Sequence, residues 1–195
     1  APTREEELPP APRTVPLASG TDVGTAVHHL AEHTDLAELL TAAPSADIRE
    51  WESWAADQLT SLGLGGGVRD ARSPEAVEEM VAVARTALTS DPVRRAAGRP
   101  HWAELPVAGS LATTNGTSVA VDGVVDLVVD HPDGSLSVID YKTDVAVTCA
   151  TVDDYLLQLC AYAELLRATT GRTVSRVELV FCRGGRATVI GRDLS

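Results

Sequence analysis

Between Asp122 and Asp144 the chain reads D-G-V-V-D-L-V-V-D-H-P-D-G-S-L-S-V-I-D-Y-K-T-D, two apolar runs separated by Pro-Asp-Gly. Such runs across a tight turn specify a β-hairpin. The first strand is expected over Val124–Val129, interrupted by Asp126, and the second over Leu136–Tyr141, closing on Asp140, Tyr141 and Lys142. Alternation puts Asp140 and Lys142 on one face of their strand and Tyr141 on the other. Asp126 lies opposite or diagonal to them if the hairpin register allows it. Burying two carboxylates and an ammonium on one sheet face is costly without partners. It calls for a metal, a substrate or a complete ion-pair network.

Lys142 is the only lysine among the sixteen basic residues of the chain. Every other basic position is arginine, so an ordinary surface charge in this sequence is expected to be arginine. A compact point charge on a flexible stem does what a planar guanidinium fork cannot. Lys142 therefore marks a position with a specific chemical demand.

The chain's 195 residues suit one domain with a sizeable core. With three Trp, three Tyr and one Phe, that core must be built mainly from Val, Leu and Ala. No apolar run reaches the length of a membrane span, and the N-terminus lacks the regions of a signal peptide. Cys149, Cys160 and Cys182 are odd in number and widely spaced, which fits neither a disulfide framework nor a C-x-x-C metal site. They read as core residues in a reducing compartment, and a cytoplasmic location is expected. The net charge of −12 argues against tight, autonomous nucleic-acid binding, which relies on a basic surface. It leaves open a nucleic-acid enzyme whose acidic metal ligands add to the deficit and whose polymer is held by a neighbouring domain. The start at Ala1, without an initiating methionine, is that of a fragment or a processed chain.

Residues 1–20 carry an acidic run and four prolines, the composition of a linker or disordered tail. Residues 21–195 form the single folded domain, with a helical part over 21–100 and a sheet with its helix over 101–195. Thr21–Leu40 follows a helical period, with His28 and His29 mid-helix. From local pattern alone, such histidines are ordinary solvated or hydrogen-bonded residues. A second helix opens at Ser45, with Trp51 and Trp54 one turn apart. Gly63–Gly67 lacks the G-K-[ST] of a phosphate-binding loop and has no nucleotide role. Ser73-Pro74-Glu75 starts a third helix running to Leu88, and Asp91-Pro92 a short fourth. His101–Val107 reads as an edge strand because of Pro106, and its Glu104, taken alone, as a solvent-facing residue. Val152–Ala168 is an amphipathic helix with Tyr155, Leu156, Leu159, Tyr162, Ala163 and Leu166 on one broad face, ended by Gly171. Val174–Cys182 and Arg186–Ile190 close the chain as a strand pair across Gly184-Gly185. This order gives a small mixed sheet with helices around it, in the α/β or α+β class.

Five features now stand in one order: G-x-x-x-H over Gly24–His28, a strand glutamate at Glu104, G-x-x-D over Gly123–Asp126, I-D-Y-K-T over Ile139–Thr143, and Q-L-x-x-Y over Gln158–Tyr162. This set resembles the RecB-type branch of the PD-(D/E)XK nucleases, commonly the C-terminal nuclease domain of helicase–nuclease machines that process DNA ends. The likeness covers residues 21–190. It implies an α/β, restriction-endonuclease-like fold and a metal-dependent DNA nuclease, exonuclease-like, serving double-strand-break repair.

By that resemblance Asp126 and Asp140 are the metal-binding carboxylates and Lys142 the catalytic lysine that positions or activates the attacking water. His28 becomes an additional metal ligand, reversing the local reading of that residue. Glu104 matches the family's upstream acidic residue, Gln158 and Tyr162 the helix motif that steadies the site and contacts substrate, and the Tyr141 carbonyl a further metal contact. The implied cofactor is Mg²⁺, with Mn²⁺ able to substitute, since a hard cation prefers carboxylates, waters and phosphate. The three cysteines are too few and badly spaced for the iron–sulfur cluster of some relatives, so no cluster is expected. Helicase motifs are absent, and the implied partners are DNA and a helicase, either in the same chain or on a separate partner. No membrane is involved.

Two other classes are open. The fold can serve as an inactive domain that guides DNA or scaffolds a helicase complex. Alternatively, the hairpin can be a plain surface hairpin of a binding protein. The second accounts well for Asp130, Asp133 and Asp144, which sit where turns and strand ends favour them. It accounts poorly for Asp126, Asp140 and Lys142, which interrupt apolar strands.

Overall fold

The computed structural model describes residues 20–41, 47–64, 73–144, 147–183 and 185–194. Among the described residues five helices precede the sheet: α1 (Gly20–His33), α2 (Leu36–Thr41), α3 (Asp47–Ser61), α4 (Pro74–Leu88) and α5 (Asp91–Ala96). α1 buries Val23, Ala26, Val27, Leu30 and Ala31, an i, i+3, i+4, i+7, i+8 stripe that leaves no choice of face. The single helix expected over Thr21–Leu40 is in fact broken. The Asp35 carboxylate accepts from the backbone N–H groups of Ala37 and Glu38, at 2.9 and 3.0 Å, and starts α2 afresh. Trp51 and Trp54 pack one turn apart on α3, and Trp51 Nε1 donates to Thr34 Oγ1 at 3.1 Å, which pins the break. The expected start at Ser45 and most of the Gly63–Gly67 loop lie outside the described residues, as do 1–19. No helix among the described residues is long and apolar enough to cross a membrane.

The sheet has five strands in the order β1 (His101–Ala112), β2 (Ser118–Asp130), β3 (Leu136–Lys142), β4 (Val174–Phe181) and β5 (Thr188–Asp193). β1–β2, β2–β3 and β4–β5 pair antiparallel, while β3 and β4 run parallel. Only a crossover can join parallel neighbours, and α6 (Cys149–Thr170) supplies it. Thr148 caps α6 through its side chain, and Gly171 ends it in the left-handed conformation at φ 70°. The Pro-Asp-Gly turn forms as expected, with Gly134 at φ 85° and Asp133 Oδ1 accepting from Ser135 N at 2.9 Å. β1 and β2 extend well beyond the expected strands into a long ribbon that is largely exposed at its far end.

The sheet divides the core in two. Leu127, Val129, Ile139, Tyr141 and Val180 pack against α1 and α4, whereas Val128, Leu136, Val138, Val177 and Leu179 pack against α6. β3 is therefore apolar on both faces, which explains its unbroken burial from Leu136 to Tyr141. Asp140 sits inside that run and is only 4% exposed.

One close approach ties β2 to α6. A Cβ added at Gly123 would come within 2.1 Å of Tyr162 Oη and 2.6 Å of its ring. The ring is rigid and buried, so it cannot give way. Gly123→Ala is expected to lower stability by about 1–3 kcal/mol, the usual cost of overpacking. Most of that loss should vanish in Gly123→Ala/Tyr162→Ala relative to Tyr162→Ala alone, as measured by urea unfolding of all four proteins.

Candidate active site

β1 and β2 pair in unbroken register except at one position: Ala103 faces Leu127 and Leu105 faces Val125, but Glu104 and Asp126 between them do not pair. Glu104 has φ 47°, a left-handed conformation that costs a non-glycine residue about 1–3 kcal/mol. The strand faces exchange there. Ala103 and Leu127 pack with the α1/α4 side, whereas Leu105, Val107 and Val125 pack with α6. Residues two apart on a regular strand would share a face. The strain thus turns the two acidic side chains out of the ladder and brings them together.

The β2–β3 pairing ends beside the same point. Its last pair is Leu127 with Ile139, and the register would next set Asp126 opposite Asp140. Instead, Asp126 Oδ2 accepts from the Tyr141 backbone N–H at 2.7 Å, so a side chain satisfies a donor beyond the end of the ladder. The Tyr141 side chain is buried on the α1/α4 side. Asp126 and Asp140 are each 4% exposed.

α1 delivers His28 to this opening. Its Nδ1 lies 3.0 Å from Glu104 Oε1 and 3.4 Å from Asp126 Oδ1. Gly24, one turn earlier, brings α1 beside the end of β3: a Cβ there would lie 3.5 Å from Thr143 Oγ1. Ligating atoms of His28, Glu104 and Asp126 all fall within 4.8 Å of one another, a donor set that can hold a cation. The hydrogen bonds to Asp126 and Glu104 outweigh burial and raise the pKa of His28 to about 10. The protonated imidazole thus occupies the place of a positive charge among carboxylates.

Asp140 completes the arrangement from β3. Burial first, and the charge of Asp126 second, push its pKa up to about 7, against the opposing pull of Lys142. Lys142 Nζ lies 2.8 Å from Asp140 Oδ2. Apart from that ammonium, Oδ2 is buried with no hydrogen-bond partner among the described residues. Burial works against the charge on Lys142, but Asp140 prevails and its pKa is raised. The atoms that come within ligating reach of one another are those of His28, Glu104 and Asp126, a donor set that fits a hard divalent cation, while Asp140 stands outside that cluster and senses it through the Asp126 charge.

The five sequence features thus meet at one end of the sheet. His28, Glu104 and Asp126 converge directly, and Asp140 and Lys142 adjoin them. Gln158 and Tyr162 stand one step back: Gln158 Nε2 donates to Tyr162 Oη at 2.8 Å, and Tyr162 rests on Gly123, three residues before Asp126. Two neighbours escaped the sequence reading. The Tyr155 ring lies under Lys142 Nζ, 4.3 Å from its centroid, and the Cys182 thiol donates to the Lys142 carbonyl at 3.4 Å. The sequence reading placed Tyr155 only on the broad apolar face of its helix. Cys182 left no such signal.

A sequence model of the PD-(D/E)XK nuclease superfamily matches residues 3–191. An ATP-dependent helicase/nuclease component from Listeria welshimeri serovar 6b is 29% identical over 185 residues, covering 85% of this chain. The match takes in 14% of that relative's length. The solved structure of SSO0001 aligns with 89% of this chain and 76% of its own, at 12% identity and a TM-score of 0.41. With a match running over nearly its whole length, the chain belongs to the PD-(D/E)XK nuclease superfamily.

Proposed function

We propose that this chain is a Mg²⁺-dependent deoxyribonuclease domain of exonuclease type, the nuclease module of a helicase–nuclease that processes double-strand breaks. The observation that carries the reading is the convergence of His28, Glu104 and Asp126 beside the Asp140–Lys142 pair. The helicase–nuclease context rests on the relative from Listeria welshimeri, and a cytoplasmic location fits the free cysteines.

In this reading His28, Asp126, Asp140 and the Tyr141 carbonyl hold the metal, with Glu104 beside them. When bound, the cation neutralises charge on the scissile phosphate and acidifies the attacking water. Lys142 orients the nucleophile and lends its charge to the phosphate as negative charge builds there. Tyr141 N–H fixes the Asp126 carboxylate through Oδ2, leaving Oδ1 turned toward His28. Tyr162 holds α6 against β2 from a buried position, and the exposed Gln158 amide, bonded to its hydroxyl, is the group of this pair that can meet the DNA strand.

Cleavage of labelled single- and double-stranded DNA at low salt tests the activity. Wild type with Mg²⁺ or Mn²⁺ should cut, chelator should abolish cutting, and Lys142→Ala should lower the rate about 100- to 1,000-fold. Metal binding without cleavage would favour a DNA-guiding or scaffolding domain, and loss of both would remove the site assignment.

A second prediction concerns pH. The folded pKa of His28 lies near 10, above its ordinary 6.5, so its stabilising contribution is complete below pH 6.5 and disappears as pH rises through 10. In chelator, the stability advantage of wild type over His28→Gln should therefore shrink steadily between those values in urea titrations. An advantage that grew with pH would contradict the geometry.

A further inference from the structure

Lys142 is held firmly at its backbone but not, by that, at its charge. It closes β3 opposite Phe181, and its carbonyl accepts from Cys182 N at 3.1 Å and from the Cys182 thiol at 3.4 Å. Four methylenes separate this anchor from the ammonium, and a lysine stem has ample rotamer freedom. Asp140 attracts the ammonium from one side at 2.8 Å. Left to that contact alone, the charge would be free to swing around the carboxylate or out toward water.

The other side is closed by α6. The Tyr155 ring presents its face to Nζ at 4.3 Å, well within the range of a cation–π contact. The Lys142 side chain is left only 17% exposed. Burial, and then the nearby Asp144 carboxylate, raise the pKa of the phenol, so the hydroxyl stays protonated and lies against Asp144 just beyond the lysine. Glu104, Asp126 and Asp140 already crowd the site. Another carboxylate in place of Tyr155 would trap the ammonium, whereas a ring face attracts it without adding formal charge. An arginine would fork onto Asp140 and stack flat on the ring, leaving no point charge aimed at substrate.

We propose that Tyr155 is a positioning residue for the reaction: its ring face and Asp140 together fix the Lys142 ammonium where it can act on the scissile phosphate. The assignment rests on the nuclease reading for its consequence, but the contact itself does not. The single lysine makes it directly observable. Protein labelled with ¹³C,¹⁵N-lysine gives one set of ε-methylene and Nζ signals, all from Lys142.

In wild type the ε-methylene protons should resonate upfield of free lysine because of the ring current. Tyr155→Phe should keep that shift and Tyr155→Leu should abolish it. In DNA cleavage with Mg²⁺, Tyr155→Leu should lose roughly 3- to 30-fold in kcat, the range of a partly desolvated cation–π contact, with KM changed less than about twofold. Tyr155→Phe should recover most of that loss, because the face and not the hydroxyl holds the charge. Unshifted lysine signals in wild type would overturn the contact, whatever the activity. A shifted signal with unaltered kcat in Tyr155→Leu would overturn the positioning role. If wild type shows the shift but cuts no DNA under any metal, the nuclease reading fails while the contact stands.

Discussion

The burial of two carboxylates, Asp126 and Asp140, is the constraint on which the rest of this structure depends. Each is 4% exposed, and the hairpin register directs them at one another. The same sheet shows how a buried acid is neutralised for structural purposes: Glu178 on β4 is gripped at 2.7 and 2.9 Å by Arg95, with Arg176 at 3.2 Å. There a single Arg95 nitrogen spans both carboxylate oxygens and a second guanidinium shares the charge. Asp140 instead has a single lysine and an oxygen with capacity to spare, and Asp126 has one backbone N–H and a histidine. The contrast is between an acid shared by two arginines and two acids with one formal positive partner each.

The fold supports this costly arrangement from three directions. The unpaired Glu104–Asp126 position lets the strands exchange faces, at the expense of a left-handed glutamate. α1 packs its apolar stripe on one face of the sheet and so delivers His28. α6 crosses the opposite face, seats Tyr162 on Gly123 and brings Tyr155 beneath Lys142. Strain at the site is offset by two well-packed cores, one on each side of β3.

Much of this was legible in the sequence because it rests on local rules. The hairpin, its Pro-Asp-Gly turn, the Ser73-Pro74 helix start and the Gly171 stop are each encoded within a few residues, and the structure places them as expected. The helix break at Asp35 was not read, because an Asx cap inside an otherwise periodic segment leaves the apolar spacing almost undisturbed. The ribbon ends of β1 and β2 were missed because they are exposed and bury no core face, although Val119 and Val121 alternate as strand residues do. His28 shows the limit most clearly. Helical periodicity does not distinguish it from His29, only Gly24 one turn earlier does, and its chemical partner Glu104 lies 76 residues away. The resemblance named the two residues separately, and the structure brings them together.

The central claim is that His28 and the carboxylates beside it form a divalent-cation site. Mn²⁺ electron spin-echo spectroscopy tests it most directly, because the metal's electron spin reports nitrogen bound to it. Wild type loaded with one equivalent of Mn²⁺ should show coupling to a single imidazole nitrogen, and His28→Gln should bind Mn²⁺ more weakly without that coupling. Manganese that remains in its aqueous form, or nitrogen coupling that survives in His28→Gln, would contradict the account.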